Sequence, residues 1–354
     1  MGAQLARALN AGTIGGLQEV RLARRLARPV GITATGQHYP ERVVSNDDLS
    51  KFMDTSDEWI RPRTGIGSRC WVGKGQGASD LAVPALRMAL ENRGMKAEDL
   101  EVIIIATVTP DTLFPATACR VQQAIGASNA FGFDLSAACS GFIYALTTGA
   151  GLIASGAYSR VAVVGVDVMS SIINMEDRTT AVLFGDGAGA VILEAVGEGL
   201  GILDFEHRIN GEGGCFLHMP AGGSAKPATR ETVEAKEHFV HQAGSDVFKW
   251  AVREMAESSR LMLDRNGLSG EDLKLFVPHQ ANQRIMDAAA KRLDIDPGKM
   301  MVNIDRYANT TAATIPTALH QALAAGRLAK GDPVVLSAFG AGFTWGAVLM
   351  KWAV

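Results

Sequence analysis

The chain has 354 residues, with 34 Lys+Arg, 37 Asp+Glu and a formal net charge of −3. At roughly 150 residues per domain, this length predicts two domains or one large domain with internal symmetry. Charged residues make up 20% and the apolar set 47%, which excludes a disordered chain, a coiled coil and a low-complexity protein. The small net charge provides no global attraction for nucleic acid or an anionic membrane, so we expect neither as a partner.

The first 28 residues form an arginine-rich extension that contains a single acid, Glu19. The extension lacks the continuous apolar core of a secretory signal, and Ala6 stands where a myristoylation motif needs Ser or Thr. We interpret it as a dispensable extension, with an organellar transit peptide or a partner-binding arm as alternatives. The cysteines show no CxxC pair, so we expect no metal site, no disulfide framework and a reducing, cytoplasmic location.

Short β-branched runs alternate with helical patterns along the chain, which is typical of an α/β fold. The pattern predicts strands at Val102–Val108, Val161–Val164, Ala190–Leu193, Leu275–Val277, Val334–Leu336 and Ala347–Met350. It predicts helices at Ser79–Asn92, Gly141–Ser155, Gly244–Asn266 and Ala281–Leu293. The uncharged stretch 135–159 is long enough to span a bilayer, but small polar residues dilute it and favour a buried helix.

A faint internal repeat relates the two ends of the chain. An offset of about 170 residues aligns FDLSAACSGFIYAL from Phe133 with IDRYANTTAATIPTAL from Ile304. A third pair, FGDGAGAVIL from Phe184 and FGAGFTWGAVLM from Phe339, matches only at a shorter offset, so we expect an insertion in the first half. These matches predict two similar halves at 29–200 and 201–354. Residues 207–235 are rich in Gly, Pro and charge, which predicts a long surface excursion.

Cys139 lies in DLSAACSGF, where a polar turn gives way to an apolar helical run. This pattern places its sulfur near a helix N-terminus, where unpaired N–H groups and the helix dipole favour the thiolate. The alternative is a small buried cysteine with no chemical role. His279, in LFVPHQAN, follows a buried strand at its carboxyl end, where α/β sheets bind ligands. The alternative for His279 is a hydrogen-bonded loop histidine.

Asn309, in RYANTTAATIP, falls within one residue of Cys139 under the repeat, so we expect both to begin equivalent helices of the two halves. Taken alone, Asn309 is simply a good N-cap. Pseudo-symmetry would bring Cys139 and Asn309 together, with His279 nearby. Such a trio suits a papain-like hydrolase site. It equally suits a condensing site, in which cysteine holds an acyl group as a thioester while histidine and asparagine stabilise an enolate.

From about Val30 to the C-terminus, the sequence resembles the β-ketoacyl-acyl-carrier-protein synthase III family within the thiolase-like superfamily. The segments that carry the resemblance are DTSDEWIRPRTGI from Asp54, DLSAACSGF around Cys139, FGDGAGA from Phe184, VPHQAN around His279, ANTTAA around Asn309 and FGAGFTWG from Phe339. The extension before about Arg28 has no counterpart in the family pattern. The resemblance implies an α/β, five-layered α-β-α-β-α fold built from two similar halves, and a homodimer.

The resemblance also implies an acyltransferase that initiates type II fatty-acid synthesis without a cofactor or a metal. In such an enzyme Cys139 accepts the acyl group of a short acyl-coenzyme A primer. His279 and Asn309 then stabilise the enolate formed when malonyl-acyl carrier protein loses carbon dioxide, and the product is a 3-oxoacyl chain. The backbone N–H groups of Cys139 and Ala341 would form the oxyanion hole. Ala341 stands where the family usually has glycine, which predicts a restricted and crowded backbone.

Further binding residues are implied by the same resemblance. Coenzyme A contacts are expected from Thr55, Trp59, Arg63, Arg178 and Ser245. Trp59 and Arg178 would sandwich the adenine, and Ser245 stands at a position that is often asparagine. The acyl pocket is expected to involve Phe339 and a Phe114 contributed across the dimer, which suits acetyl- or propionyl-sized primers. Docking of the acidic carrier protein is expected from Lys249, Arg284, Lys291 and Arg292.

Competing interpretations differ at the same positions. A thiolase needs a second catalytic cysteine in its C-terminal glycine-rich segment, and no cysteine follows Cys215. Elongating ketosynthases carry a Cys-His-His set in place of the asparagine. A specialised relative that starts polyketides, makes quinolones or moves an acyl group to an alcohol or amine stays open. A non-catalytic partner subunit would normally have lost Cys139, His279 or Asn309.

Overall fold

The computed structural model describes residues 23–354. Its strands are β1 Val30–His38, β2 Val43–Ser45, β3 Ser68–Cys70, β4 Val102–Ala106, β5 Phe131–Leu135, β6 Val161–Asp167, β7 Gly187–Ala195, β8 Gly201–Ile209, β9 Leu217–His218, β10 His241–Gln242, β11 Leu275–Pro278, β12 Pro333–Gly340 and β13 Thr344–Lys351. Its helices are α1 Asn46–Ser50, α2 Asp57–Thr64, α3 Ala78–Arg93, α4 Thr117–Ile125, α5 Gly141–Ala154, α6 Arg178–Ala181, α7 Arg230–Glu234, α8 Gly244–Arg265, α9 Gln283–Arg292, α10 Ile304–Tyr307 and α11 Thr314–Ala324.

The first large sheet has the strand order β1-β7-β6-β4-β5. β4 pairs in parallel with β5 and β6, while β7 pairs antiparallel with β6 and β1. Every residue of β4 and β6 is buried. Their unbroken runs of valine, isoleucine and alanine are what strands covered on both faces require.

The second large sheet repeats this plan with the order β8-β13-β12-β11. β11 pairs in parallel with β12, and β13 pairs antiparallel with β12 and β8. The counterpart of β5 is reduced to a bridge between Phe276 and Met300. The shared order and directions confirm the expected pair of similar halves. A division at residue 200 falls in the loop before β8, and that boundary stays a prediction.

Helices complete a five-layered arrangement. α3 and α4 cover the outside of the first sheet, and α8, with α9 beside it, covers the outside of the second. Between the sheets lie α5, which contacts strands of both, and α11, which contacts β7, β1 and β11. α5 carries no charged residue, and most of its side chains are buried, which confirms the buried-helix interpretation of the uncharged stretch. Within residues 23–354, no helix combines the length and apolarity needed to cross a bilayer.

All the predicted strands and helices are present, with bounds that shift by a few residues. The strand predicted at Val102–Val108 ends at Ala106, because the next residues turn to hydrogen-bond Asp167. The expected insertion comprises residues 168–186 between β6 and β7, against 341–343 between β12 and β13. The surface excursion predicted at 207–235 begins later in the chain than expected. His207 belongs to β8 and hydrogen-bonds Thr147 of α5 at 2.7 Å, so the excursion begins after Ile209.

The last residues of the arginine-rich extension contact both halves. The backbone N–H of Arg24 donates to the Asp204 carboxylate on β8 at 2.8 Å. The Arg28 guanidinium donates to the carbonyl oxygen of Ile153, near the C-terminus of α5, at 2.6 Å. Residues 24–28 are therefore part of the folded body, whereas most of the extension lies outside the described residues.

An Arg28→Ala substitution is expected to destabilise the protein by about 1.5–3 kcal/mol, the usual contribution of hydrogen bonds from a charged group. The loss also removes a cation from a helix C-terminus, where the dipole favours positive charge. Differential scanning fluorimetry would report the change as a lower apparent Tm. Arg25→Ala is the matched control, because the contact of Arg25 with Asn266 is exposed. Equal shifts in the two variants would contradict the proposed role of Arg28.

Candidate active site

A cavity of about 210 Å³ lies between elements of the two halves. Its lining includes Cys139, His279 and Asn309, with Phe339 and Gly340 beside them. Cys139 precedes α5, His279 follows β11, and Asn309 lies between α10 and α11. The fold therefore brings to one cavity the three residues that the sequence singled out.

Cys139 lies in a short 3₁₀ turn, Ala138–Ser140, directly before α5. Ala138 adopts a left-handed conformation with φ 48°. The Cys139 side chain is 8% exposed, and burial, with a smaller contribution from the Asp167 carboxylate, raises the pKa of its thiol to about 12. Desolvation is the largest cause of this shift, and it opposes the stabilisation of the thiolate expected from the helix N-terminus.

His279 is almost fully buried, at 1% exposure. Its backbone N–H donates to the carbonyl oxygen of Ser337 on β12 at 2.7 Å, which fixes the residue at the carboxyl end of the sheet. Its Nδ1 lies 2.7 Å from Oγ1 of Thr314, the first residue of α11. Burial lowers the pKa of the imidazole to about 3. The ring is therefore neutral at pH 7, and Nε2 is the ring nitrogen left for a substrate.

Asn309 is 6% exposed, and its backbone N–H donates to the Leu183 carbonyl in the insertion at 3.0 Å. Its side-chain Oδ1 accepts the N–H of Thr311 at 2.8 Å. The carbonyl end of the amide is therefore occupied by the protein. The Nδ2 group remains as the donor that a substrate in the cavity can use.

The expected equivalence of Asn309 and Cys139 is wrong by three residues. The turn that corresponds to Ala138–Ser140 is Thr311–Ala313, which leads into α11 as the first turn leads into α5. Cys139 is thus equivalent to Ala312. The two turns contact each other across the pseudo-symmetric centre, so Asn309 reaches the cavity from the segment before its turn and does not begin a helix.

Gly340 ends β12 close to Cys139, and Ala341 is the next residue. A Cβ atom at Gly340 would lie 2.7 Å from the backbone nitrogen of Cys139, so the absence of a side chain keeps that N–H accessible. The Thr344 hydroxyl lies 2.9 Å from the Ala137 carbonyl and 3.0 Å from that of Ala341, which ties the two segments together. Ala341 is not among the described residues with left-handed φ, so the predicted backbone restriction at this residue is not found.

Trp59, Arg63 and Arg178 form a cluster that joins α2 to the insertion. The guanidinium carbons of Arg63 and Arg178 lie 4.8 and 5.0 Å from the Trp59 ring centroid. Arg178 also donates to the Asp54 carboxylate at 2.9 Å. Because Trp59 and Arg178 already contact each other, a purine would have to separate them. In the same segment, the buried Thr55 hydroxyl has no hydrogen-bond partner among the described residues.

The residues expected around the acyl and pantetheine groups lie in different settings. Phe339 is 4% exposed and lines the cavity. Ser245 lies at the exposed start of α8, next to the cavity-lining Gly244. Phe114 is 86% exposed and does not line the cavity of its own chain. Its predicted place in the acyl pocket therefore requires a second chain.

The four basic residues expected to dock the carrier protein are all exposed. Lys249 lies on α8, and the others lie on α9, which packs against α8. The Arg284 guanidinium lies 5.8 Å from the ring of Phe248, which lines the cavity. Arg284 thus lies beside the cavity, the other three cations are exposed on the same pair of helices, and the docking role of all four stays a prediction.

Sequence reasoning missed three polar residues that lie behind the cavity: Asp167, Thr311 and Thr314. Asp167 ends β6, is fully buried and accepts a hydrogen bond from Thr311 of the other half. A signal was available, because a single carboxylate at the carboxyl end of an otherwise apolar strand marks a site of polar contacts.

Comparison with known proteins agrees with this geometry. Residues 133–211 match the family described as 3-oxoacyl-[acyl-carrier-protein] synthase III, and residues 263–352 match the family described as its C-terminal part. The chain is 52% identical over 328 residues to a β-ketoacyl-[acyl-carrier-protein] synthase III of Koribacter versatilis, covering 92% of this chain and 98% of that protein.

Two solved structures with the same fold bear different names. The 3-oxoacyl-[acyl-carrier-protein] synthase III from Aquifex aeolicus aligns with a TM-score of 0.85 and 41% identity. The alignment covers 91% of this chain and 100% of that one. The priming β-ketosynthase of the R1128 polyketide pathway aligns with a TM-score of 0.84 and 32% identity, covering 94% of this chain and 98% of that one. The thiolase-like fold is thereby confirmed, and this chain belongs to the β-ketoacyl-acyl-carrier-protein synthase III family.

Proposed function

We propose that this protein initiates type II fatty-acid synthesis in the cytoplasm. It condenses a short acyl-coenzyme A primer with malonyl-acyl carrier protein and releases a 3-oxoacyl-carrier protein, coenzyme A and carbon dioxide. Its family makes it an acyltransferase-type condensing enzyme. The observation that carries the proposal is the convergence of Cys139, His279 and Asn309 on one cavity. The steps use side chains and backbone groups and call for no cofactor.

In the first half-reaction, Sγ of Cys139 attacks the thioester carbon of the primer. The raised pKa of Cys139 means that the thiol loses its proton only as the reaction proceeds, when the N-terminus of α5 can stabilise the developing negative charge. The backbone N–H groups of Cys139 and Ala341 donate to the oxyanion. Collapse of the intermediate breaks the bond to coenzyme A, whose sulfur takes the proton.

In the second half-reaction, Nε2 of His279 and Nδ2 of Asn309 donate to the thioester oxygen of the malonyl group. These donors stabilise the enolate left by loss of carbon dioxide. His279 needs its proton on Nε2 for this step, and the Thr314 hydroxyl at 2.7 Å can donate to Nδ1 in that tautomer. The enolate carbon attacks the acyl-cysteine, the bond to Cys139 breaks, and a proton from water restores the thiol.

Primer binding is proposed to use Trp59 and Arg178 on the two faces of the adenine, with the other predicted coenzyme A contacts alongside. The short distance between these two side chains supports a clamp that an aromatic ring can open. The unpartnered Thr55 hydroxyl supports a polar contact that a bound nucleotide would satisfy.

A homodimer is also proposed. β5 lies at the edge of the first sheet with no buried residue, and Leu113 and Phe114 are 85% and 86% exposed. An open edge strand next to large exposed apolar side chains favours association with another chain. In the dimer, Phe114 of one copy would close the acyl pocket of the other and limit it to short primers.

Intact-mass spectrometry tests the proposal directly. The protein would be incubated with acetyl-, propionyl-, branched-chain and octanoyl-coenzyme A, and malonyl-carrier protein would then be added. A short primer should add its acyl mass to Cys139 and leave as a 3-oxoacyl chain. If no short primer loads, or if a loaded group moves only to a non-malonyl acceptor, the fatty-acid assignment is wrong.

The alternative is a specialised condensing enzyme of the same fold. The similarity to the priming β-ketosynthase of a polyketide pathway favours this alternative over the other specialised relatives. Condensation with malonyl groups on the carrier proteins of the two pathways separates them, because a polyketide starter enzyme would use a carrier protein other than that of fatty-acid synthesis.

Carrier-protein docking gives a further prediction. Arg284→Glu is expected to raise the KM for malonyl-carrier protein several-fold, because a charge at the rim of an interface acts mainly on association with an acidic partner. Acyl loading from coenzyme A should stay close to that of the unchanged protein. Arg87→Glu, on α3 outside the other sheet, is the matched control. Equal losses in loading and condensation would rule out a docking role for Arg284.

A further inference from the structure

Thr311 contacts, directly or through one side chain, both residues expected to stabilise the enolate. Its N–H donates to Oδ1 of Asn309 at 2.8 Å. The hydroxyl oxygen of Thr314 lies 3.0 Å from the carbonyl oxygen of Thr311 and 2.7 Å from Nδ1 of His279, and the single proton of that hydroxyl turns to Nδ1 when the imidazole carries its own proton on Nε2. The backbone of Thr311 thus orients Asn309 directly and places, through Thr314, the hydroxyl that orients His279.

The backbone of Thr311 is held in an unfavourable conformation. Its φ is 50°, in the left-handed region that a β-branched residue rarely adopts. Such a conformation persists only where surrounding contacts impose it. The equivalent turn of the first half also contains a left-handed residue, because Ala138, directly before Cys139, has φ 48°.

The Asp167 carboxylate makes the contact that holds Thr311 in this left-handed conformation. The Thr311 hydroxyl donates to the Asp167 carboxylate, and the N–H of Ala312 lies 3.4 Å from the same oxygen, Oδ2. The other carboxylate oxygen accepts from the hydroxyls of Thr107 and Thr109 at 3.0 and 2.9 Å. Asp167 is fully buried and belongs to the first half, so it anchors a turn of the second half to a rigid strand end.

We propose that Thr311, anchored by the Asp167 carboxylate, is the positioning residue that sets Asn309 and His279 for decarboxylation of the malonyl group. This inference rests on the proposed function. It assigns Thr311 to the second half-reaction alone, because acyl transfer to Cys139 uses the backbone donors of Cys139 and Ala341, which Thr311 does not contact through any hydrogen bond in the described structure.

Thr311→Val tests the inference, since valine keeps the shape of threonine and removes the hydroxyl. Release of carbon dioxide from malonyl-carrier protein is expected to fall about 100-fold, the effect of a displacement of about 1 Å in catalytic groups. The KM for malonyl-carrier protein and the acyl loading of Cys139 should not change. Thr311→Ser restores the hydroxyl and is expected to recover most of the rate.

Thr317→Val is the matched control. Thr317 is a fully buried threonine of α11, the helix that follows the Thr311 turn, and its hydroxyl bonds to the backbone carbonyls of Ala313 and Thr314 and to Tyr39, none of which the proposed reaction uses. It should leave carbon dioxide release unchanged. If Thr311→Val lowers loading and decarboxylation equally, if it changes neither, or if Thr311→Ser fails to recover the rate, the inference is wrong. If the unchanged protein neither loads a primer nor releases carbon dioxide, the proposed function itself fails.

Discussion

In a His279→Ala variant, Cys139 is expected to take up an acyl group from coenzyme A and then to keep it. The imidazole is buried and neutral, with a pKa lowered to about 3, so it contributes a directed hydrogen bond and not a positive charge. Removal of one such donor from a charge-stabilising site costs about 100- to 1,000-fold in rate. Only the rate of the step that forms the enolate should fall by this factor.

Intact-mass spectrometry measures both halves of this expectation in one sample. After addition of malonyl-carrier protein, the acylated mass of His279→Ala should persist while that of the unchanged protein disappears. Cys139→Ser is the reciprocal control, because it should fail at loading. A His279→Ala protein that cannot load a primer, or that discharges it at the normal rate, would place His279 outside the role proposed.

Gly340→Ala is expected to lower the rate of acyl loading about 100- to 1,000-fold, the cost of losing an oxyanion donor. The new Cβ would lie 2.7 Å from the backbone nitrogen of Cys139 and 3.1 Å from that of Ser140. It would therefore occupy the space in which the oxyanion meets the N–H of Cys139. Loading of Cys139, measured as the rate of mass gain with acetyl-coenzyme A, reports the effect.

Ala341→Gly is the matched control for this prediction. It restores the glycine usual in the family at the adjacent residue, and because Ala341 already adopts an ordinary φ, we expect nearly unchanged loading. Far-ultraviolet circular dichroism would show whether Gly340→Ala keeps the sheet in which it lies. Normal loading by a folded Gly340→Ala protein would mean that the N–H of Cys139 does not hold the oxyanion.

The fold was predictable because the apolar runs are long and unbroken. Val102–Ala106 and Val161–Val166 contain no polar residue, so burial on both faces and helices on either side follow from composition alone. The repeat also indicated two halves. Its register at Asn309 could not be read correctly, because sequence similarity alone does not distinguish a 3₁₀ turn from the segment just before it.

The sequence was enough to predict which residues line the site. It was not enough to predict the pKa values of those residues or the buried hydrogen bonds that hold them in place. Cys139 was expected near a helix N-terminus, and it is, but the depth of burial that raises its pKa is a property of packing between two halves. The contact of Asp167 with Thr311 joins residues far apart in the chain. No local pattern identifies such a pair, although each residue ends or begins a recognisable element.

The two sheets differ at one border, where the first carries β5 and the second has only the bridge between Phe276 and Met300. If both sheets carried a full strand at this border, each molecule would present two similar borders that face different directions. Each border would be an open edge strand able to pair with another chain. Head-to-tail stacking through such borders generates open filaments, whereas a single self-complementary border closes after one partner is added. If two copies associate through β5, as proposed, the described structure offers a single border of this kind, and association would end at a dimer.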